Sequence, residues 1–262
     1  MVANNSTICV LMCGGRGSRI NTNSKIYKRA IEKPLIILKN KPLIEYIIDT
    51  LINSKKGFKI FAAVSSNTKE TEAFIKEKYC DNLTVLNTNG NGYSKDFTSV
   101  IDYFINESVS EEQEKQRIPN IVFLPNQKPS IEYSKKIIFL PIDLPLISTK
   151  TIEKIAEIKQ KTSLISIVVD KKIIIESSFL PTAYTIKIDE KEYCYTGISV
   201  LRLDFFKSQN KKLPSKQIDE ENIIFNDPEF AYNINSINDL KRTEEFLCKK
   251  MTTEKETRNR SI

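Results

Sequence analysis

The 262-residue sequence contains no histidine. That absence removes Ser-His-Asp triads, Cys-His nucleophiles, HExxH zinc sites and histidine phosphotransfer. Any chemistry must rest on carboxylates, lysines, arginines, backbone amides or a hard metal ion. Phosphoryl and nucleotidyl transfer can run on that set, because catalysis there is largely positioning and charge neutralisation.

Other absences narrow the field further. None of the five cysteines (Cys9, Cys13, Cys80, Cys194, Cys248) forms a CxxC pair. Neither a zinc site nor a thioredoxin-like redox motif is therefore indicated. Their odd number and wide spacing suit a reducing compartment, where they serve as small buried hydrophobes. No apolar run reaches the roughly 20 residues that span a bilayer. The first apolar stretch has no basic segment before it, so no signal peptide is expected. The expected location is cytoplasmic, with no membrane partner.

What is present is a hydrophobic fraction of 40% and a net charge of +7. The last 14 residues hold five basic and two acidic side chains, so +3 of that charge sits there and +4 on the other 248. Residues 249–262 read as a basic, disordered tail. No nucleic-acid partner is expected, since basic residues do not alternate with aromatic ones and no binding motif is present. The modest excess suits an anionic small substrate.

Periodicity places strands at 8–12, 35–38, 58–64, 83–86, 136–141, 164–169, 183–188, 197–201 and 230–233. Helices are expected at 42–54, 68–78 (with Asn67 as N-cap), 96–105, 150–161 and 236–249, the last capped by Ser236. The alternation predicts an α/β fold: a single Rossmann-like, three-layer domain over residues 1–248. Its sheet is mostly parallel with helices on both faces, and some antiparallel strands lie in the C-terminal half. Residues 107–136, acidic and then proline-containing, interrupt the rhythm as a surface insertion.

Two constellations carry chemistry. The loop Cys13-Gly14-Gly15-Arg16-Gly17-Ser18-Arg19 follows the first strand. Glycines there let backbone amides cradle phosphates. It is neither a Walker A loop nor a full dinucleotide fingerprint, since Ile20 replaces the third glycine. Its two arginines suit a triphosphate. The second is Glu32-Lys33-Pro34-Leu35, in which the proline keeps the lysine on extended backbone.

The order of strand, GGxGxR and KPL resembles nucleotidyltransferases built on one Rossmann-like sheet. The segments KPLIILKNKPLIEYIIDTLI, FAAVSSNTKETEAFI, NTNGNGYSKDF, LPIDLPLIS, Tyr195-Thr196-Gly197-Ile198 and IIFNDPEFAYNINSINDL extend that likeness. From about residue 8 to residue 248 the chain resembles the archaeal-type GTP:adenosylcobinamide-phosphate guanylyltransferases, within the molybdenum-cofactor-guanylyltransferase-like superfamily.

The resemblance implies transfer of GMP from GTP to adenosylcobinamide phosphate, with Mg²⁺ as cofactor and GTP and a phosphorylated corrinoid as partners. Arg19, Lys33 and Asp143 would be catalytic, with Asp143 also the metal ligand. Cys13, Gly14, Gly15, Arg16, Gly17, Ser18, Ser65, Asn67, Gly90, Gly92 and Tyr93 would hold the nucleotide. Gly197 and Asn233 would face acceptor or nucleotide. Bland alternatives stand beside several of these: a helix cap at Asp143, Asn67 and Asn235, an ordinary turn at 90–93, a strand bulge at Gly197, and a first-turn helix carboxylate at Asp96. Molybdenum-cofactor guanylyltransfer on the same fold and a non-catalytic nucleotide-binding module remain rival functions. A homodimer stays open.

Overall fold

The computed structural model describes residues 7–15, 17, 20, 31–107, 136–207 and 219–259, with backbone only at 107, 206, 207 and 251–259. The apolar run of β1 (Ile8–Met12) is almost wholly buried, as expected of a strand covered on both faces. It pairs in parallel with β4 (Lys59–Ser65) and β6 (Lys136–Pro141). Beyond β4 lies β5 (Leu83–Thr88), also parallel. On the other side, β9 (Lys191–Arg202) runs antiparallel to β6 and to β7 (Leu164–Asp170). The edge strands β8 (Thr185–Ile188) and β10 (Glu220–Ile224) complete an eight-stranded sheet in the order β10-β7-β9-β6-β1-β4-β5, with β8 branching from β9. A separate small hairpin joins β2 (Ile37–Leu38) to β3 (Lys41–Pro42).

Alternation along β1 splits the core in two. Cys9 and Leu11 face α1 (Leu43–Ile52), α2 (Lys69–Lys78), α4 (Thr149–Glu157) and α5 (Lys171–Glu176) through Ile44, Ile48, Ile75, Ile155 and Ile174. Ile8 and Val10 face α3 (Tyr93–Glu107) through Val100, Ile101 and Phe104. The Phe104 ring meets Phe61 edge-on, with centroids 5.1 Å apart. A third cluster joins Ile36, Leu38 and Leu43 to Ile234, Ile237 and Leu240. It pins the Lys33–Leu35 turn to the start of α7 (Ile237–Asn259), following the short α6 (Asp204–Lys207).

The α/β architecture and the antiparallel C-terminal half match expectation. The expected strand at 230–233 is instead a 3-10 turn, Pro228–Ala231. Asp227 accepts a hydrogen bond from the Glu229 amide and Pro228 occupies the first helical position, which is a helix-start pattern. Neither β10 nor α5 was visible in the periodicity. The Ser236 hydroxyl caps α7 by accepting from the Asp239 amide. That helix runs to Asn259 rather than ending at Lys249. Of the 107–136 segment, residues 108–135 lie outside the described residues.

Candidate active site

In an open α/β sheet, ligands bind beyond the carboxyl ends of the strands where the order reverses. Here that point lies between β1 and β6: the chain passes from β1 outward to β4 and β5, then returns to β6 on β1's other side. The glycine loop follows β1, and Asp143 follows β6.

Four side chains meet there. The Lys33 ammonium donates to Asp143 Oδ2 at 2.6 Å and to Asn235 Oδ1 at 3.2 Å. The Asn235 amide donates in turn to Asn233 Oδ1 at 2.6 Å. Lys33 and Asp143 side chains are only 15% and 18% exposed, so this pair is well shielded from solvent. The backbone locks the arrangement too, since Ile234 N–H donates to the Asp143 carbonyl. The helix-cap alternative for Asp143 gives way to an ion pair formed across 110 residues of chain. Asn235 takes part in capping only through its backbone, whose N–H donates to Asp239.

Lys33 is itself held by its neighbour. Both oxygens of Glu32 accept from the start of α2, at the Glu70 amide (2.8 Å) and the Thr71 amide (2.6 Å). A carboxylate at a helix N-terminus satisfies free amides and meets the positive end of the dipole. Asn67, expected to cap that helix, does something else. Its amide donates to the Gly90 carbonyl at 3.2 Å.

That bond belongs to a chain linking three strand-end loops. Ser65 Oγ donates to the Gly14 carbonyl, and Asn67 N–H donates to Ser65 Oγ. Gly90 N–H donates to Asp96 Oδ1 at 3.0 Å. Gly90 has φ +66, and a Cβ there would lie 2.5 Å from the Asn67 amide nitrogen, so only glycine fits. A Cβ at Gly17 (φ +60) would come within 2.9 Å of Lys33 Cβ, whereas one at Gly15 would meet nothing within 4 Å among the described residues. Among the described residues, Gly15 thus offers a side where a ligand can come against the backbone.

Tyr93 stacks on Phe97, with ring planes 18° apart. Although the residue is 53% exposed, desolvation of its hydroxyl pushes the pKa up to about 12, and the Asp143 carboxylate acts in the same direction. Gly92 (φ +105) opens the first turn of α3, its carbonyl accepting from the Asp96 amide. At Gly197 (φ +82) the β7–β9 register shifts, so the bulge expected there exists. It lies over the end of β6, where a Cβ would be 3.3 Å from Pro141.

Cys13 needs correction as a nucleotide contact. Its side chain is buried, its thiol donates to the Leu11 carbonyl and its amide to Ala63. Burial pushes the thiol pKa well above its usual range, so it packs as a hydrophobe. Arg16, Ser18 and Arg19 lie outside the described residues.

The residues also suit a divalent cation. Asp143 Oδ1 is buried with no hydrogen-bond partner among the described residues, and Asn233 presents another oxygen in the same cluster. No group of three or more His, Cys, Asp or Glu side chains is placed to hold a metal among the described residues. One carboxylate completed by substrate phosphates is how Mg²⁺ is commonly held.

The fold and part of the sequence have known counterparts. A family model described as cytidylyltransferase matches residues 27–121. A 4-diphosphocytidyl-2C-methyl-D-erythritol synthase from Anaerococcus prevotii superposes with a TM-score of 0.56 at 10% identity, covering 94% of this chain and 97% of that one. That likeness is one of fold. A nucleotidyl transferase from Methanothermobacter thermautotrophicus gives a TM-score of 0.55 at 14% identity, over 94% and 99% of the two chains. In sequence, 97 residues are 38% identical to the adenosylcobinamide-phosphate guanylyltransferase of Methanocaldococcus jannaschii. That match spans 36% of this chain and 45% of the relative. No described helix is long and apolar enough to cross a membrane.

Proposed function

We propose that the chain transfers GMP from GTP to the phosphate of adenosylcobinamide phosphate, releasing pyrophosphate. The observation that carries this reading is the Lys33–Asp143–Asn235–Asn233 cluster beside a glycine loop at the sheet's reversal point. The homology to a guanylyltransferase of that name supplies donor and acceptor.

An acceptor phosphate oxygen attacks the α-phosphorus of GTP, and the bond from that phosphorus to the β-phosphate bridging oxygen breaks. The acceptor phosphate is already ionised, so no strong general base is required. Backbone amides around Gly14 and Gly15 hold the phosphates, with Arg16 and Arg19 adding charge. Lys33 neutralises the oxygens crowding the α-phosphorus. Ser65 and Asn67 fix the loops that face the base, Gly92 and Tyr93 bound the entrance beside them, and Gly197 leaves room for the acceptor. A Mg²⁺ ion held by Asp143 with Asn233 would supply charge neutralisation on the departing pyrophosphate.

The test is pyrophosphate release from GTP and Mg²⁺, with adenosylcobinamide phosphate or molybdopterin as acceptor in separate reactions. Release only with the corrinoid supports the reading. Release only with molybdopterin reassigns the acceptor, and GTP binding without release in either case removes the acceptor assignment altogether.

A further inference from the structure

Two tyrosines that the proposed transfer leaves unused, Tyr184 and Tyr195, stand side by side at the ligand end of the sheet. Strand β9 pairs with β6 only at residues 199–202. Gly197 lies against Pro141, the last residue of β6. Residues 191–196 therefore run on past that strand, at the end where Asp143 follows. There β8 takes the place of β6 beside β9, with Thr185 opposite Cys194 and Ile186 opposite Tyr193. That register sets Tyr184 opposite Tyr195, and the Tyr195 amide donates to the Tyr184 carbonyl.

Alternation decides which way these side chains point. Cys194, Ile167 and Val169 belong to the core that α4 and α5 cover, and Ile223 packs against it. Tyr195, Val168 and Ile224 therefore take the opposite face, the one that carries Phe139 and α3. Val168 pairs with Tyr195 on one side and with Ile224 on the other. Residues opposite one another share a face, so Tyr184, Tyr195, Val168 and Ile224 form one row across four strands. At the usual strand spacing that row is about 14 Å wide, and it lies about 7 Å beyond Gly197. None of its side chains is charged. Val168 is buried, whereas Tyr184 is 78% and Ile224 39% exposed. Exposed apolar surface that continues a site marks a place for a ligand.

An in-line displacement needs the attacking oxygen opposite the leaving pyrophosphate. With the triphosphate on the loop after β1, the acceptor comes from the β6–β9 side, across Gly197. Its two ends differ: an anionic phosphate, and a broad ring system edged with uncharged amides. The chain has the same polarity, with the Lys33 ammonium at one end and the uncharged row at the other. Resting on the guanylyltransferase reading, we propose that Tyr184, Tyr195 and Ile224 form the floor on which the acceptor's ring lies while its phosphate reaches Lys33. The side chains offer the ring apolar area, and the tyrosine hydroxyls are donors for its amide carbonyls.

The probe is cobinamide, which keeps the ring and its amides but has no phosphate, titrated calorimetrically against the full chain. The parent should bind it, and Tyr184→Ser should bind it about tenfold or more weakly. Tyr184→Phe should keep most of the affinity, and Ile224→Ser, at the far end of the row, should weaken binding in the same sense as Tyr184→Ser. In pyrophosphate release, Tyr184→Ser should raise the KM for adenosylcobinamide phosphate by a similar factor and leave kcat and the KM for GTP as in the parent. A parent that turns over the corrinoid phosphate but does not bind cobinamide overturns the floor and leaves the transfer standing. So do Tyr184→Ser and Ile224→Ser chains with parental affinity and KM. No release with the corrinoid phosphate in the parent removes the transfer itself and the floor with it. A Tyr184→Ser chain that changes its sedimentation and keeps its acceptor KM assigns the row to a second copy, which overturns the proposal as well.

Discussion

Replacing Gly15 with alanine should separate binding from stability. A Cβ at this position meets nothing within 4 Å among the described residues, and Gly15 is not among the glycines with positive φ. The folded protein should accept it with a change within about 0.5 kcal/mol. The melting temperature should move by no more than about 4 °C. The nucleotide is another matter, because in the proposed site the methyl group would project into the space through which phosphates approach the loop amides. Loss of one hydrogen bond to a charged group is worth ~1.5–3 kcal/mol, which lowers GTP affinity about 10- to 100-fold. Gly17→Ala is the contrasting variant. Its positive φ costs an alanine ~1–2 kcal/mol, and the Cβ presses on Lys33 Cβ at 2.9 Å. That variant should lose roughly 2–8 °C of melting temperature and turnover as well. Calorimetric GTP titration and thermal unfolding of both variants decide the matter. Parental GTP affinity in Gly15→Ala would falsify the placement of the phosphates, and equal destabilisation of the two variants would refute the loop geometry.

Three further outcomes follow from the same contacts. Asp143→Asn should fold and still bind GTP, yet lower pyrophosphate release by about 100-fold or more; parental turnover would remove Asp143 from the chemistry. Glu32→Ala strips the cap from α2 and the tether beside Lys33, so it should cost ~0.5–2 kcal/mol by thermal unfolding and slow turnover too. Unchanged stability would mean the Glu32 bonds contribute nothing in solution. The raised pKa of Tyr93, from about 10 unfolded to about 12 folded, makes the folded state hold its proton more tightly. Its contribution to stability is fully present below pH 10 and is lost as pH rises through 12. Comparison with Tyr93→Phe should show the parent losing more stability between those pH values, and identical alkaline curves would contradict the shift.

How much of this was legible in the sequence depends on the range of each interaction. The buried strand β1 and the glycines after it are legible locally, whereas Lys33 and Asp143 stood out only through the family resemblance, and Lys33 lies in a 3-10 turn rather than on extended backbone. The expectation for Asn67 failed because capping rules consider only adjacent residues. Here a carboxylate 38 residues upstream, Glu32, reaches the Glu70 amide and leaves Asn67 to hold Gly90. The same holds at Asp96. Read locally it is a first-turn helix carboxylate, and it does lie in the first turn of α3. Its partner Gly90 and its neighbour Gly14 become visible only once β1, β4 and β5 are side by side. The missed β10 is a five-residue edge strand with two leading glutamates, too short and polar for periodicity to show. At 228–231 the Asp-Pro start signal was present and was outweighed by the apolar residues that follow.

The pairing of Lys33 with Asp143 also bears on how the free protein tolerates its own active site. In the proposed roles, a lysine for a phosphate and a carboxylate for a cation must both occupy a poorly hydrated place before either ligand arrives. Left unpaired, each would carry a desolvation cost; as an ion pair at 2.6 Å they offset one another. In the proposed reaction an arriving α-phosphate would compete with Asp143 for the ammonium, so the lysine would move from one anion to another without being stranded. Asn235 steadies that exchange, since its carbonyl keeps a neutral acceptor on the ammonium throughout. On this argument the Lys33→Met and Asp143→Asn single variants should each destabilise the free protein more than half as much as the double variant does. Thermal unfolding of the three variants measures that coupling. Strict additivity would show that the two charges do not compensate each other in the free site.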